Sequence, residues 1–274
     1  MISRALVRPP GASFAQAILA PALRSVTSSG VSSSQAAIDV ALAQAQHVEY
    51  RQALAEAGVI VEVLPSDERF PDSCFMQDPA MVIAGRAIIN RPGAASRRGE
   101  EEALTELLAA RFPTSRIIAP GTLEGGDVLI LPDRVVVGRS DRTNRAGIAQ
   151  LVVALADLTG LPNLSGLADL PVLEAPVEGY LHLLSAVTHL GDGTLLAVAD
   201  FVLPPALAGF PVLRVPTDEG YACNALGIGA KVILPAGYPS TAAMLKAHGY
   251  EVLLVPTTEF AKADGGVTCL SLVW

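Results

Sequence analysis

A thiol close to the end of the chain, Cys269, follows Asp264-Gly265-Gly266-Val267-Thr268 and precedes the apolar run Leu270 to Trp274. The two glycines allow a turn with positive φ, and the apolar run has strand length. The sulfur therefore stands where a loop becomes a buried strand, fixed by its backbone and still reachable. Other polar turns offer an imidazole, His182 in Tyr180-Leu181-His182-Leu183, and carboxylates: Asp72, Asp78 beside Gln77, and Glu124 and Asp127 in Leu123-Glu124-Gly125-Gly126-Asp127. A thiol, an imidazole and several carboxylates at one centre would supply a nucleophile, an acid/base and an orienting group. Extra carboxylates there suit a cationic substrate, because a buried anion without a partner is costly.

Each residue alone also has a plainer reading. Cys269 can be a small buried hydrophobe, Asp72 and Asp78 turn formers, Glu124 a solvated turn residue, and His182 a hydrogen-bonded core residue. His189, in Thr188-His189-Leu190-Gly191-Asp192-Gly193, is expected at the surface of a hairpin turn. His248 is expected at a helix C-terminus, and His47 on the solvated face of a helix. Cys74 and Cys223 lack an activating motif and are expected to serve packing.

The elements that must bring these turns together recur along the chain. Ile2–Val7 and Val59–Leu64 read as strands, with a Ser/Gly-rich loop over Ser25–Ser34 and a helix over Gln35–Ala57 between them. Ala87–Asn90, a helix carrying Leu104, Leu107 and Leu108, and a strand Arg116–Ala119 form a strand–helix–strand unit. Arg134–Gly138 begins another, whose helix carries Ile148, Leu151, Val152, Leu155 and Leu158 and is capped by Gly160. Thr194–Ala199 and Pro211–Val215 repeat the form with any helix reduced. Lys231–Leu234, a helix over Ser240–His248 and Glu251–Val255 repeat it again. Acidic or glycine turns lead into an extra strand at Asp78–Ile83 and Gly125–Ile130. The tail supplies that extra strand with no helix after it, and the N-terminus looks like the missing second half. The chain thus reads as about five ββαβ units in a ring closed by its own termini, one domain over residues 1–274, with the turns converging at the centre.

Composition bounds the partners. The chain has 274 residues, of which 51% are hydrophobic and 17% charged, enough for a large core and far from a disordered composition. A net charge of -8 argues against nucleic acid or an anionic membrane. Charges and prolines interrupt every stretch of membrane-spanning length. Pro9 and Pro10 interrupt any signal-peptide core, so a cytoplasmic location is expected. Three widely spaced cysteines and four histidines without a His-x-x-x-His pair speak against a disulfide framework and against a zinc site.

Several motifs then resemble the bacterial dimethylarginine dimethylaminohydrolases. They are Asp67-Glu68-Arg69-Phe70-Pro71-Asp72-Ser73 with Phe75 and Asp78-Pro79, Arg91-Pro92-Gly93 with Ser96-Arg97-Arg98-Gly99-Glu100, and Gly121-Thr122-Leu123-Glu124-Gly125-Gly126-Asp127. Arg142-Thr143-Asn144, Pro235-Ala236-Gly237-Tyr238-Pro239 and the tail through Cys269 complete the set. The resemblance runs in order from Arg8 to the C-terminus. It implies the pentein fold, a five-bladed α/β propeller. It also implies that Cys269 attacks a guanidinium carbon, that His182 protonates the leaving amine and later activates water, and that Glu124 orients His182 and contacts the guanidinium. On the same ground Asp78 binds the guanidinium, Asp72 the α-amine, and Arg97 and Arg142 the α-carboxylate. Ile18 falls in a lid loop, and the Val267 carbonyl touches substrate. The implied reaction releases citrulline and an alkylamine from a methylated arginine, through a covalent thiouronium intermediate and without metal or organic cofactor.

One position departs. Where the family has Glu-Asp-Pro, this chain has Gln77-Asp78-Pro79, which removes an anion from the expected guanidinium pocket and leads us to expect a different or broader substrate. The alternatives are an arginine deiminase or other guanidino hydrolase, an amidinotransferase, and a non-catalytic binding propeller. A monomer or homodimer is expected.

Overall fold

The computed structural model describes residues 2–19, 37–156 and 170–274. The expected Ser25–Ser34 loop, the Gln35 helix start, and Leu158 with the Gly160 cap lie outside these residues.

Strand β1 (Arg4–Val7) is followed by helix α1 (Val40–Glu56) and by β2 (Ile60–Val63), parallel to β1. Then β3 (Ala80–Ile83) and β4 (Arg86–Ile89) form an antiparallel pair, α2 (Glu102–Ala109) crosses over, and β5 (Thr114–Arg116) returns parallel to β4. The same order recurs in β6 (Val128–Ile130), β7 (Val135–Arg139), α3 (Arg145–Ala156) and β8 (Val172–Pro176). It recurs in β9 (Val187–His189), β10 (Leu195–Val198) and β11 (Val212–Val215), whose crossover has only the short 3-10 turn Pro205–Leu207. It recurs again in β12 (Leu226–Ile228), β13 (Lys231–Pro235), α4 (Pro239–Ala247) and β14 (Glu251–Val255). Finally α5 (Thr258–Lys262) leads to β15 (Ser271–Val273), which pairs antiparallel with β1 in the register Ala5↔Val273 and Val7↔Ser271. The two termini therefore complete one blade, and the five three-stranded sheets match the expected propeller.

The middle strand of each blade is apolar without alternation because both its faces are covered. Ala5, Leu6 and Val7, Ala87 to Ile89, Val135 to Val137, Leu195 to Ala197 and Val232 to Leu234 all have no solvent exposure. Helix α1 starts where the Asp39 carboxylate accepts the Leu42 N–H at 3.0 Å and ends before Gly58 at φ +87. Below the tail turn, Phe14, Phe75 and Phe260 pack as a triad, with Phe75 edge-on to the other two at 5.9 and 6.3 Å. Cys269 and Leu270 belong to this cluster.

Three expectations need correction. The strand expected at Arg116–Ala119 lies at Thr114–Arg116, because the parallel register with β4 fixes it as Ala87↔Thr114 and Ile89↔Arg116. His47 is fully buried in α1, on a stripe with Ala43, Tyr50 and Leu54, and burial pushes its pKa down to about 3. His189 is half-buried at the end of β9, where its Nε2 accepts the Gly193 N–H at 2.9 Å. Strands β8, β9 and β12 carry no sequence pattern that sets them apart and are fixed by pairing. Among the described residues no helix is long and apolar enough to cross a membrane.

Candidate active site

The turn before β3, the Leu123–Asp127 turn before β6, the segment before β9 and the tail turn before β15 meet in one cleft. Cys269, His182, Glu124, Asp78, Asp72, Arg97, Arg142 and Ile18 all line it. Eight of the eleven residues singled out from sequence are thus together, from segments as far apart as Ile18 and Cys269, and Asp127 does not line the cleft.

Glu124 is the hub. It is 1% exposed, so its charge must be answered within the protein. Its Oε2 faces His182 Nε2 at 2.8 Å, and its Oε1 accepts the Gly93 N–H at 2.9 Å. Arg142 Nη1 approaches Oε1 at 3.8 Å. A carboxylate that only accepts places a proton on Nε2 and leaves Nδ1 as the nitrogen able to pass a proton. Burial alone would lower the His182 pKa, but Asp78, the bond to Glu124 and nearby Asp127 outweigh it and raise it to about 9. Burial would raise Glu124, and its bond to His182 brings it well below the usual carboxylate range instead. The pair is therefore an imidazolium and a carboxylate at neutral pH. Gly126 is required by this contact, since a Cβ there would meet His182 Nδ1 at 2.7 Å.

Asp78 Oδ1 accepts the Gly126 N–H at 2.9 Å, and its Oδ2 accepts from Arg97 Nη1 at 2.6 Å. Arg97 also donates from Nε and Nη2 to Glu100 and from Nη2 to the Phe75 carbonyl at 3.0 Å. Four of the guanidinium's five N–H groups are thereby engaged. Arg142 is freer, with 18% of its side chain exposed. Asp72 accepts the Ile18 N–H at 3.2 Å and so ties the segment around Ile18 to the cleft floor.

Cys269 Sγ accepts the Gly266 N–H at 3.4 Å. Burial and the Asp78 charge push the thiol up to about 12, against the opposing pull of Gly266 N–H, Thr268 and Arg97. The sulfur is a neutral thiol in the free protein. A cation placed between Asp78 and Glu124 would favour its thiolate.

Gln77 and Val267 are not part of the cleft lining. Gln77 lines a second cavity of about 460 Å³, together with Thr268, His189 and Trp274. Asp78 lines the cleft, whereas Gln77, its neighbour in the turn before β3, lines the second cavity. The Gln77 backbone N–H donates to the Cys269 carbonyl at 3.2 Å. Val267 is fully buried in the apolar cluster under the tail.

Two further acids belong to the site: Asp264 lines the cleft at φ +58, and Glu100 answers the Arg97 charge. The Asp264-Gly265 turn signal could have pointed to the first. Asp78, Glu124 and His182 bring one donor atom each within 4.8 Å of one another. Those donors already hold Arg97, Gly126 N–H and each other.

Five ββαβ units closed into a ring define the pentein class, and here the centre of the ring carries a thiol beside a paired imidazole and carboxylates. The family described as N,N dimethylarginine dimethylhydrolase, eukaryotic, matches residues 26–161. An N(G),N(G)-dimethylarginine dimethylaminohydrolase of Pseudomonas aeruginosa is 41% identical over 236 residues, covering 85% of this chain and 89% of the relative. One of Streptomyces coelicolor is 40% identical over 238 residues, covering 86% and 87%. A solved structure of the Pseudomonas aeruginosa enzyme, a cysteine-to-serine mutant complexed with citrulline, superposes with a TM-score of 0.87 at 36% identity over all of both chains. The chain belongs to the dimethylarginine dimethylaminohydrolase family.

Proposed function

We propose that this protein is a cysteine-dependent amidinohydrolase that converts a methylated arginine, asymmetric dimethylarginine or monomethylarginine, to citrulline and an alkylamine. The observation that carries the reading is the shared cleft, in which Cys269 and the His182–Glu124 pair stand with Asp78 and Asp72. Asp78 and Glu124 hold the planar cation, Asp72 meets the α-amine, and Arg142 and the remaining Arg97 N–H meet the α-carboxylate.

The guanidinium carbon is a poor electrophile, and the thiol is neutral until the bound cation favours its thiolate. Sulfur then bonds to carbon and the C–N bond to the alkylamine breaks, with His182 delivering the proton the amine needs. The amine leaves as alkylammonium, carrying both the thiol proton and the His182 proton, so His182 is left neutral. Water replaces sulfur on the resulting thiouronium with His182 as base, returning the thiol and releasing the ureido product. The same proposal places the enzyme in the cytoplasm as a monomer or homodimer, which size-exclusion chromatography checks.

The test is ureido-product formation from arginine, monomethylarginine, asymmetric dimethylarginine and agmatine. Turnover of the methylated arginines is expected, and Cys269→Ala is expected to lower it by at least about 10³-fold. A preference for agmatine, which has no carboxylate, would overturn the substrate assignment. Retained turnover in Cys269→Ala would overturn the mechanism.

A further inference from the structure

Asn224 lies outside the cleft lining and outside every motif considered above. It is 7% exposed and caps the 3-10 turn Thr217–Cys223. Its side chain joins two distant segments. Oδ1 accepts the N–H of Thr268, the residue before Cys269, at 2.9 Å. Nδ2 donates to the carbonyl of Leu184, two residues past His182, at 3.3 Å. A backbone N–H only donates and a carbonyl only accepts, so a single orientation of the amide satisfies both.

The same amide lies against Gly266, where a Cβ would run into it. Gly266 supplies the N–H aimed at the Cys269 sulfur, and the turn closes when Cys269 N–H donates to the Gly266 carbonyl at 3.1 Å. Asn224 therefore touches the first and third residues, Gly266 and Thr268, of the four-residue turn that shapes the surroundings of the sulfur. A hydrogen bond to the charged form of a thiol favours that form, and its strength falls steeply as the angle opens.

We propose that Asn224 is a positioning residue: it holds the Gly266–Cys269 turn so that Gly266 N–H meets the sulfur, and it ties that turn to the His182 segment. Its effect on turnover rests on the amidinohydrolase reading. Its effect on the reactivity of the sulfur does not.

The test compares wild type with Asn224→Ala and with Gly266→Ala, which presses on the same amide from the other side. Three quantities are measured: alkylation of Cys269 by iodoacetamide, located by mass spectrometry; kcat and KM on the methylated arginines; and thermal unfolding. Alkylation in both variants is expected to slow by about tenfold near pH 8, with kcat down by about 30-fold and KM within about threefold. Asn224→Asp keeps the acceptor for Thr268 but sets an acceptor against the Leu184 carbonyl and adds a charge near the sulfur, so its alkylation should slow further. A residue with a merely structural role would lower Tm while leaving alkylation and kcat of the folded protein within about twofold of wild type, and that result overturns the proposal. Should Asn224→Ala fail to fold, Gly266→Ala decides on the same readings. Should the wild type turn over nothing in the panel, the amidinohydrolase reading falls, and alkylation alone decides the role of Asn224.

Discussion

At the scale of single residues, the pairing of His182 with Glu124 sets a pH range. The His182 pKa is raised from 6.5 to about 9, so the contribution of its protonated form to stability is complete below its unfolded value. That contribution is lost as pH rises through about 9. Glu124 is shifted the other way, so its contribution is present above the unfolded carboxylate value and lost only in stronger acid. The amine-releasing step needs the imidazolium, and turnover under saturating substrate should therefore fall on an alkaline limb near pH 9. Glu124→Gln removes a carboxylate that helps raise His182. Its imidazole resonance, followed by NMR, should titrate at lower pH than in wild type, and kcat should drop by about 10²-fold or more. An unmoved titration would show that Asp78 and Asp127 hold the proton without Glu124.

The neighbours Gln77 and Asp78 show where the sequence is ambiguous at this scale. Both are polar and adjacent, and the likeness to Glu-Asp-Pro in the family makes both look like pocket residues. Asp78 lines the cleft and Gln77 the second cavity, a division that composition and spacing do not reveal. Gln77→Glu is expected to leave the order of preference among arginine, monomethylarginine and dimethylarginine unchanged. A reordered preference would return Gln77 to the list of specificity determinants.

At the scale of elements, what positions the cleft is a set of side chains reaching between blades. Asp127, fully buried, accepts the N–H of Leu183 at 3.0 Å and the hydroxyl of Ser140 at 2.6 Å. Ser140 Oγ in turn accepts the Arg142 N–H at 3.0 Å, and Thr143 Oγ1 accepts the Glu124 N–H at 3.1 Å. One carboxylate thus ties the His182 segment to the loop that carries Arg142. Asp127→Ala leaves the Leu183 N–H without its acceptor in the interior, at a cost of about 1–3 kcal/mol. It should lower kcat and raise KM together, read by denaturant titration and steady-state kinetics, whereas Asp127→Asn, which keeps an acceptor, should recover most of the stability. The motif Leu123-Glu124-Gly125-Gly126-Asp127 was visible in the sequence because glycine pairs and acids mark turns. The partners of Asp127 were not, because Ser140 and Leu183 have no pattern of their own. The same holds for β8, β9 and β12, where pairing decides what three to five residues cannot signal. His47 was misplaced for a related reason: its burial is dictated by what α1 packs against, not by its own polarity.

At the scale of the whole molecule, closing the ring places the nucleophile. The half-units at the two ends of the sequence made that closure legible, since each lacked what the other supplied. Cys269 stands two residues before β15, so its position depends on β15 staying paired with β1. Leu272, 2% exposed, packs with Leu6, Met76 and Leu104, and the Tyr50 hydroxyl shares a hydrogen bond with Ser271 Oγ at 2.7 Å. Trp274, the single tryptophan, packs edge-on against Phe112 at 5.8 Å, so its fluorescence reports on the tail. Leu272→Ala should cost about 2–5 kcal/mol, concentrated in the blade that the termini share. In wild type, loss of activity, the change in Trp274 fluorescence and loss of circular dichroism should coincide along a urea titration, as for a single cooperative unit. In Leu272→Ala, activity and fluorescence should change at lower urea than circular dichroism, because the tail opens locally before the other four blades unfold. Three coincident transitions in the variant would mean that the closing blade has no independent stability and that the ring opens only as a whole.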